Sequence, residues 1–442
     1  MQNLARSLPC LRWSPKLRTM GCGCPLYIDP YQNCTSYKCL YCNSHYDWNQ
    51  CTGSQQYSNP IVHSIREKEF RQVAGGTFYG NPPVEDNYYS QFIQYLLARL
   101  PINIGHGSDP FIPEEKDFRV TLALLRMIHE LNIPLSLATK AGWWTTDERY
   151  MQIFEMHVLE SHRKIAPWIV RMSCSSLDPV MDKIDIGAPT AKERLNAIGR
   201  LTERGVQTNL WLKPFIPGIS QDWPELFEAA AAEGANGIIT EWLNLPRGAG
   251  KAARARYEEM SKLACYDIFA YYRENSPKSD QTMRLTAQAK RPIMEQMREK
   301  AHSLGMKFIV SDPHCRDLSD TNNCCGLEGA LPTVASLRKP IGWQEFSKPF
   351  SNLFSFAEMK NTGLLTDKEK KVPGMKRKGL FRFLKDYWNA PEAKDSLMNL
   401  YGVQPSGRDK NEDFQYVFGG ATEDVQRRKE EEAKRQGEVD DA

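Results

Sequence analysis

Three cysteines, Cys34, Cys39 and Cys42, stand at C-x4-C-x2-C spacing inside the segment DPYQNCTSYKCLYCNSHYDW. Three thiolates this close along the chain can bind three corners of an iron–sulfur cubane, because soft sulfur suits iron–sulfur centres. Three ligands leave one iron open, and an open iron can bind and activate a small molecule. The same spacing also suits a zinc ion that takes a fourth ligand from His45, Cys22 or Cys24, or three thiols that bind nothing. The context favours the cluster: the motif follows a strand-like stretch, CPLYIDPY, and precedes a train of alternating strands and helices that a zinc knuckle does not need.

The chain has twelve cysteines, many for a protein with no apolar leader at its start. Disulfides are rare in the cytosol, so clustered cysteines there point to metal or redox chemistry. A second group, Cys315, Cys324 and Cys325 with His314 beside it, reads in three ways. It is a candidate for a second metal or cluster, for a redox or hydrogen-donor thiol at the mouth of the fold, or for buried structural thiols. Cys10, Cys174 and Cys265 stand apart; an isolated cysteine is more often a small buried hydrophobe.

The bulk properties exclude some classes. With 442 residues, 41% apolar and 25% charged, the composition is that of a globular protein with material for a large core. A net charge of +3 does not demand a nucleic-acid partner. No run approaches the 18 or more apolar residues of a membrane span. The basic N-terminus lacks the apolar core of a secretory signal. Residues 1–20 are expected to be a poorly ordered arm, and the compartment to be cytoplasmic.

These cysteines must be positioned by regular elements. From about residue 100 short apolar runs alternate with helical patterns. Phe118, Leu122, Leu125 and Ile128 mark one helix face. TAKERLNAIGRLTERG opens with a capping box at Thr190 and Glu193 and closes on Gly205. Longer helices are expected over about 255–274 and 286–304. Strand starts near 102, 134, 169, 207 and 238 are spaced as βα units, which build a parallel sheet. An open sheet and a barrel are both compatible with that rhythm, and both gather ligands at the C-terminal ends of the strands. The remainder divides into an extension over 331–420, carrying a basic stretch with Phe381 and Phe383, and a charged tail over 421–442 expected to be disordered.

Taken together in order, several segments resemble the radical S-adenosylmethionine (SAM) superfamily, in particular the branch related to spore photoproduct lyase. They are the lead-in Asp29-Pro30-Tyr31-Gln32, the aromatic Tyr41 before the third cysteine, the stretch Gly105, Ser108, Asp109, Pro110, the pair Thr139-Lys140, and the segments 169–205 and 213–220. The resemblance spans about residues 20–330. It implies an α/β fold, a partial (β/α)6 barrel over 21–330, with a [4Fe–4S] cluster on Cys34, Cys39 and Cys42. It implies reductive cleavage of SAM to a 5′-deoxyadenosyl radical that abstracts hydrogen from a substrate, with flavodoxin or ferredoxin as the type of electron donor. Tyr41 is expected beside the adenine. Lys140 is expected on the SAM carboxylate, Ser108 and Asp109 on its amino group, and Ser173 as a further contact.

Two features depart from the family pattern. The first cysteine gap holds four residues where three are usual. The lyase also carries a cysteine, two residues before the Ser-Asp pair, that returns a hydrogen atom to the product radical. Here that position is His106, and an imidazole N–H is a poor hydrogen-atom donor. The resemblance therefore does not extend to repair of spore photoproduct, and the substrate is open, with nucleic acid as one candidate. The competing class is a zinc-stabilised nucleic-acid-binding protein without catalysis, which has no use for Ser108–Asp109 and Thr139–Lys140 at strand ends.

Overall fold

The structure is a computed structural model that describes residues 11–13, 26–32, 34, 36–42, 61–62, 101–160, 168–277 and 282–312. It also describes parts of 315–326, residues 353–354, and most of 403–418. The retained site residues all fall within these. Cys22, Cys24, His45, His314, the basic stretch at 360–386 and the tail over 421–442 lie outside them.

The main sheet has eight strands. In chain order they are β1 (Leu11–Trp13), β2 (Leu26–Ile28), β3 (Ile102–Ile104), β4 (Leu135–Thr139), β5 (Trp168–Ser173), β6 (Thr208–Phe215), β7 (Gly237–Trp242) and β8 (Lys307–Val310). The spatial order follows the chain order from one edge to the other. Strands β2 to β8 are parallel throughout, and β1 runs antiparallel along β2. The fold is α/β and the sheet is open, the partial-barrel class expected, with seven parallel strands where six were expected. Within the arm expected over 1–20, Leu11–Trp13 forms the edge strand.

The crossovers are helices α1 (Val120–Glu130), α2 (Glu148–Glu160), α3 (Ala191–Glu203), α4 (Trp223–Ala232), α5 (Lys251–Ala264), α6 (Ile268–Asn275) and α7 (Ala287–Ser303). The capping box of α3 forms as expected, with Thr190 accepting from the Glu193 N–H and Glu193 accepting from the Thr190 N–H. Two helical readings needed correction. Phe118 is 57% exposed and precedes α1, because Arg119 takes a left-handed conformation (φ 55°) and breaks the helix there. Leu122, Leu125 and Ile128 are buried as expected. The helix expected over 255–274 is two helices, divided at Cys265 (φ 61°).

Strand side chains alternate between two environments. Ile102, Ile104, Leu135, Leu137, Val170, Leu210, Leu212, Ile238 and Phe308 are all buried in apolar clusters with the helices. The residues between them are different: Asn103, Ser136, Arg171, Ser173, Asn209, Trp211, Lys213 and Glu241. This second face is concave. The guanidinium of Arg171 on β5 donates to Asn103 Oδ1 on β3 at 2.5 Å, reaching across β4. A Cβ on Gly326 would lie 2.6 Å from Asn209 Nδ2, 2.9 Å from Ile309 Cδ1 and 3.4 Å from Ile169 Cδ1. One residue can touch β5, β6 and β8 only if the sheet curls around it.

Beyond the sheet, Leu353–Phe354, Val403–Arg408 and Phe414–Phe418 form a three-stranded antiparallel sheet within the C-terminal extension. No helix among the described residues is long and apolar enough to cross a membrane.

Candidate metal centre

The cysteine loop follows β2 and lies over the C-terminal ends of β3, β4 and β5. Three separate ties hold it there.

The first tie is at the loop after β3. Gly105 adopts φ +84°, and a Cβ there would fall 2.0 Å from the Ala138 carbonyl oxygen. Only glycine permits that turn at that approach. The turn presents the His106 and Gly107 N–H groups to the Asp29 carboxylate at 3.0 and 3.1 Å. The Ser108 hydroxyl donates to the Tyr31 carbonyl. The Asp109 N–H donates to Cys34 Sγ at 3.1 Å. The Asp109 carboxylate accepts from Thr139 Oγ1 (2.7 Å), the Phe111 N–H (2.9 Å) and the Lys140 N–H (2.6 Å). Ser108 and Asp109 therefore join the motif Asp29–Gln32 to the ends of β3 and β4. Burial pushes the Asp109 carboxyl up from its ordinary range, against the three donors.

The second tie is Lys140. Its ammonium donates to Cys39 Sγ (2.9 Å), Tyr41 Oη (2.5 Å) and Asp185 Oδ1 (2.8 Å), which uses all three of its N–H bonds. The amine also lies 4.6 Å from the centre of the Tyr41 ring. Burial would lower the Lys140 pKa, but Asp185, Cys39 and Tyr41 outweigh it and hold the ammonium charged.

The third tie is Asp185. Lys38–Cys39 pairs antiparallel with Asp185–Ile186, and the Leu40 N–H donates to the Ile184 carbonyl at 2.9 Å. The Asp185 carboxylate, 1% exposed, bridges Lys140 and Arg194 Nη1, each at 2.8 Å. Burial alone would raise its pKa, yet the two cations hold it well below the usual carboxylate range. Arg194 is fully buried on α3 and also donates to the Ser173 and Pro189 carbonyls, both at 2.8 Å.

The three cysteines thus occupy one short loop, with Cys39 buried and Cys34 and Cys42 half-buried. They are near enough to act on one another electrostatically. Burial is the main reason the Cys34 and Cys39 thiols stand above their ordinary range, and neighbouring carboxylates add to it. Among the described residues no three His, Cys, Asp or Glu groups close around a single metal ion. N–H donors aimed at Cys34 and Cys39 are the hydrogen bonds that tune metal-bound thiolates. The donor set fits an iron–sulfur cluster.

Of the other expected residues, Tyr41 is buried under Lys140, and Ser173 donates to the Lys213 carbonyl at 3.3 Å. Cys174 is fully buried, donates to the Ser176 carbonyl at 3.1 Å, and has its thiol pushed up to about 11, mainly by burial. Cys315 and Cys325 are buried and the Cys324 and Cys325 sulfurs are 4.0 Å apart. Among the described residues no group of three metal-holding side chains forms there, and His314, Cys22 and Cys24, the other expected partners, lie outside them. Cys324 also lies close enough to His106 to influence its titration.

Three residues escaped the sequence reading. Asp185 and Arg194 had no motif to announce them. Glu115 is wholly buried and accepts from Tyr31 Oη, Tyr150 Oη (2.7 Å), and the Thr121 and Leu122 N–H groups (3.0 and 2.9 Å). It anchors the tyrosine of the lead-in motif to the start of α1. An acidic residue one turn before an apolar helix was the available signal.

No protein-family model and no curated protein matches the chain. Solved structures do resemble it. Spore photoproduct lyase complexed with dinucleoside spore photoproduct is 14% identical, with a TM-score of 0.44 over 65% of this chain and 76% of that one. A mutant of that lyase with bound AdoMet and dinucleoside spore photoproduct gives the same values. A radical SAM methyltransferase, TsrM, from Kitasatospora setae, with tryptophan substrate and a SAM analogue bound, is 14% identical with a TM-score of 0.31, over 52% of this chain and 37% of that one. The resemblance drawn from the sequence motifs is to the radical SAM branch related to the first of these proteins.

Proposed function

We propose that the chain is a radical SAM enzyme, with a [4Fe–4S] cluster held by Cys34, Cys39 and Cys42 over the open end of the sheet. One observation carries this reading: three thiols on one loop, two of them receiving N–H donors from Asp109 and Lys140 at adjacent strand ends. When bound, a cluster with one open iron supplies the one-electron reduction of SAM that starts hydrogen-atom abstraction.

The chain's own residues supply the rest. Lys140 neutralises charge at the cysteine loop and fixes Tyr41 beneath it. Asp185 and Arg194 keep Lys140 from turning away. Asp109 and Ser108 shape the loop between β3 and the cysteines. Their polar groups are engaged in that task, so contact with SAM falls first to Tyr41 and to Lys140, whose ammonium would exchange one partner for the SAM carboxylate, and then to Ser173. The concave face below would receive the substrate. Within a fold open on one side, a substrate enters laterally while the loop closes the top.

The test is anaerobic reconstitution with iron and sulfide, reduction, addition of SAM, and chromatography for 5′-deoxyadenosine. Wild type is expected to form it, and Cys34→Ala, Cys39→Ala and Cys42→Ala to form none. A protein with a verified full cluster that neither forms 5′-deoxyadenosine nor changes its cluster spectrum with SAM would overturn the reading. It would leave the zinc-stabilised binding protein as the better account.

A further inference from the structure

The concave face of the sheet carries donors with nothing to donate to. Arg171 is 4% exposed, and among the described residues its guanidinium donates to the neutral Asn103 and lies on the face of Trp211, whose ring centre is 4.6 Å away. Among the described residues no carboxylate pairs with it, and its Nε–H is buried without an acceptor. The indole N–H of Trp211 is likewise buried and unpaired. One step up the same strand, Lys213 lies 4.8 Å from the Trp211 ring centre. Lys213 has its own counter-charge, with Glu241 Oε2 at 2.6 Å. Among the described residues the lining therefore keeps an uncompensated positive charge on Arg171. His106, just past the end of β3, lies near enough to Lys213 and Arg171 to feel both charges. Gly326 forms the floor against Asn209, Ile169 and Ile309.

Leaving a guanidinium buried without a counter-ion is costly. Buried donors without acceptors also weigh against the folded state. A fold tolerates such groups where a ligand completes them. An acceptor that suits an arginine Nε–H, an indole N–H and an excess positive charge together is an oxyanion.

We propose that this concave face binds an oxyanion of the substrate, a carboxylate or a phosphate, against Arg171 and Trp211. As a statement about the substrate it rests on the reading of the chain as a radical SAM enzyme; the anion site itself does not. The loop from Gly105 to Asp109 links the two regions, with His106 beside Arg171 and Lys213 and the Asp109 N–H on Cys34.

The experiment uses the full chain as isolated and measures thermal unfolding and calorimetric binding against inorganic phosphate and against acetate, with chloride at matched ionic strength as the control. A saturable rise in Tm with either anion over chloride is expected. Response to phosphate alone assigns a phosphorylated substrate, and to acetate alone a carboxylated one. Arg171→Gln should weaken binding by about tenfold or more. Trp211→Phe keeps the aromatic face but loses the N–H and should weaken it about threefold; it also serves if Arg171→Gln folds poorly. Lys251→Gln, on the exposed surface of α5, should leave binding unchanged. No response to either anion, or a response undiminished in both Arg171→Gln and Trp211→Phe, overturns the proposal. Anion binding without 5′-deoxyadenosine from a fully clustered protein would sink the enzyme reading alone, and the converse result would sink only the anion site.

Discussion

The ammonium of Lys140 lies 2.9 Å from Cys39 Sγ and 2.8 Å from Asp185 Oδ1, so one cation joins a candidate cluster ligand to a buried carboxylate. Asp185, Cys39 and Tyr41 hold the ammonium charged, and Lys140 with Arg194 holds the carboxylate charged. The cysteine loop cannot shift without uncovering an ion, which makes its position a property of the whole strand-end network.

Removing the cation while keeping the length of the side chain tests this network. Lys140→Met should fold but hold iron about 10–100-fold more weakly, the usual effect of losing a partner of a metal ligand. The measurement is iron content per chain after reconstitution and competition with a chelator. Retention equal to wild type would show that the 2.9 Å contact does not support the site.

Asp185→Asn takes the carboxylate away from both Lys140 and Arg194. Two buried cations then face each other with no anion between them, which should cost about 3–5 kcal/mol in unfolding free energy. Urea denaturation of the reconstituted protein measures it. The second substitution Arg194→Leu, made in the Asp185→Asn background, should recover part of the loss, since it removes one of the stranded charges. A loss under about 1 kcal/mol would mean that the bridge behaves as a surface pair.

His106 should titrate with a midpoint of about 4 in the native protein, lowered first by burial and then by Lys213 and Arg171. NMR of its ring protons gives that midpoint directly. Because the unfolded chain takes up this proton near pH 6.5 and the native protein does not until about 4, the imidazole makes stability fall as pH drops through that interval. His106→Asn should flatten this part of the stability profile. Arg171→Gln should move the midpoint upward. A native midpoint at 6.5 would show that the ring is not enclosed.

Gly105→Ala should be disproportionately harmful for a one-carbon change. The left-handed backbone alone costs about 1–2 kcal/mol, and the new Cβ would collide with the Ala138 carbonyl at 2.0 Å. Displacement of the following loop should also release the N–H bond to Cys34, so that iron content falls together with Tm. A variant with normal Tm and full iron would remove Gly105 from the list of positioning residues.

The legible parts of the fold were those with a local signature. The strand rhythm, the capping box at Thr190 and Glu193 and the apolar face of α1 each follow from side-chain periodicity within a few residues. The helix breaks at Arg119 and Cys265 were not legible, because neither is a glycine or proline and the left-handed conformation is imposed by the surrounding packing. The difference at α1 is measurable: Leu122→Ala should cost about 2–5 kcal/mol and Phe118→Ser under about 0.5 kcal/mol. The cysteines and strand-end polar residues were visible as motifs. What each does was not, since Ser108 and Asp109 use their polar groups on backbone and threonine partners that sequence spacing cannot reveal. Asp185 and Arg194 gained their importance only from a contact between distant segments.

The pairing of Lys38–Cys39 with Asp185–Ile186 also orders events during synthesis. The cysteines leave the ribosome early, but the strand that fixes their loop follows about 150 residues later, and α3, which supplies Arg194, later still. Until then the thiols sit on a tether with no counterpart. Metal acquired at that stage would meet a flexible peptide open to any soft ion, whereas metal acquired afterwards meets a shaped rim. Any metal the loop holds would therefore meet its finished rim only after most of the sheet has been translated.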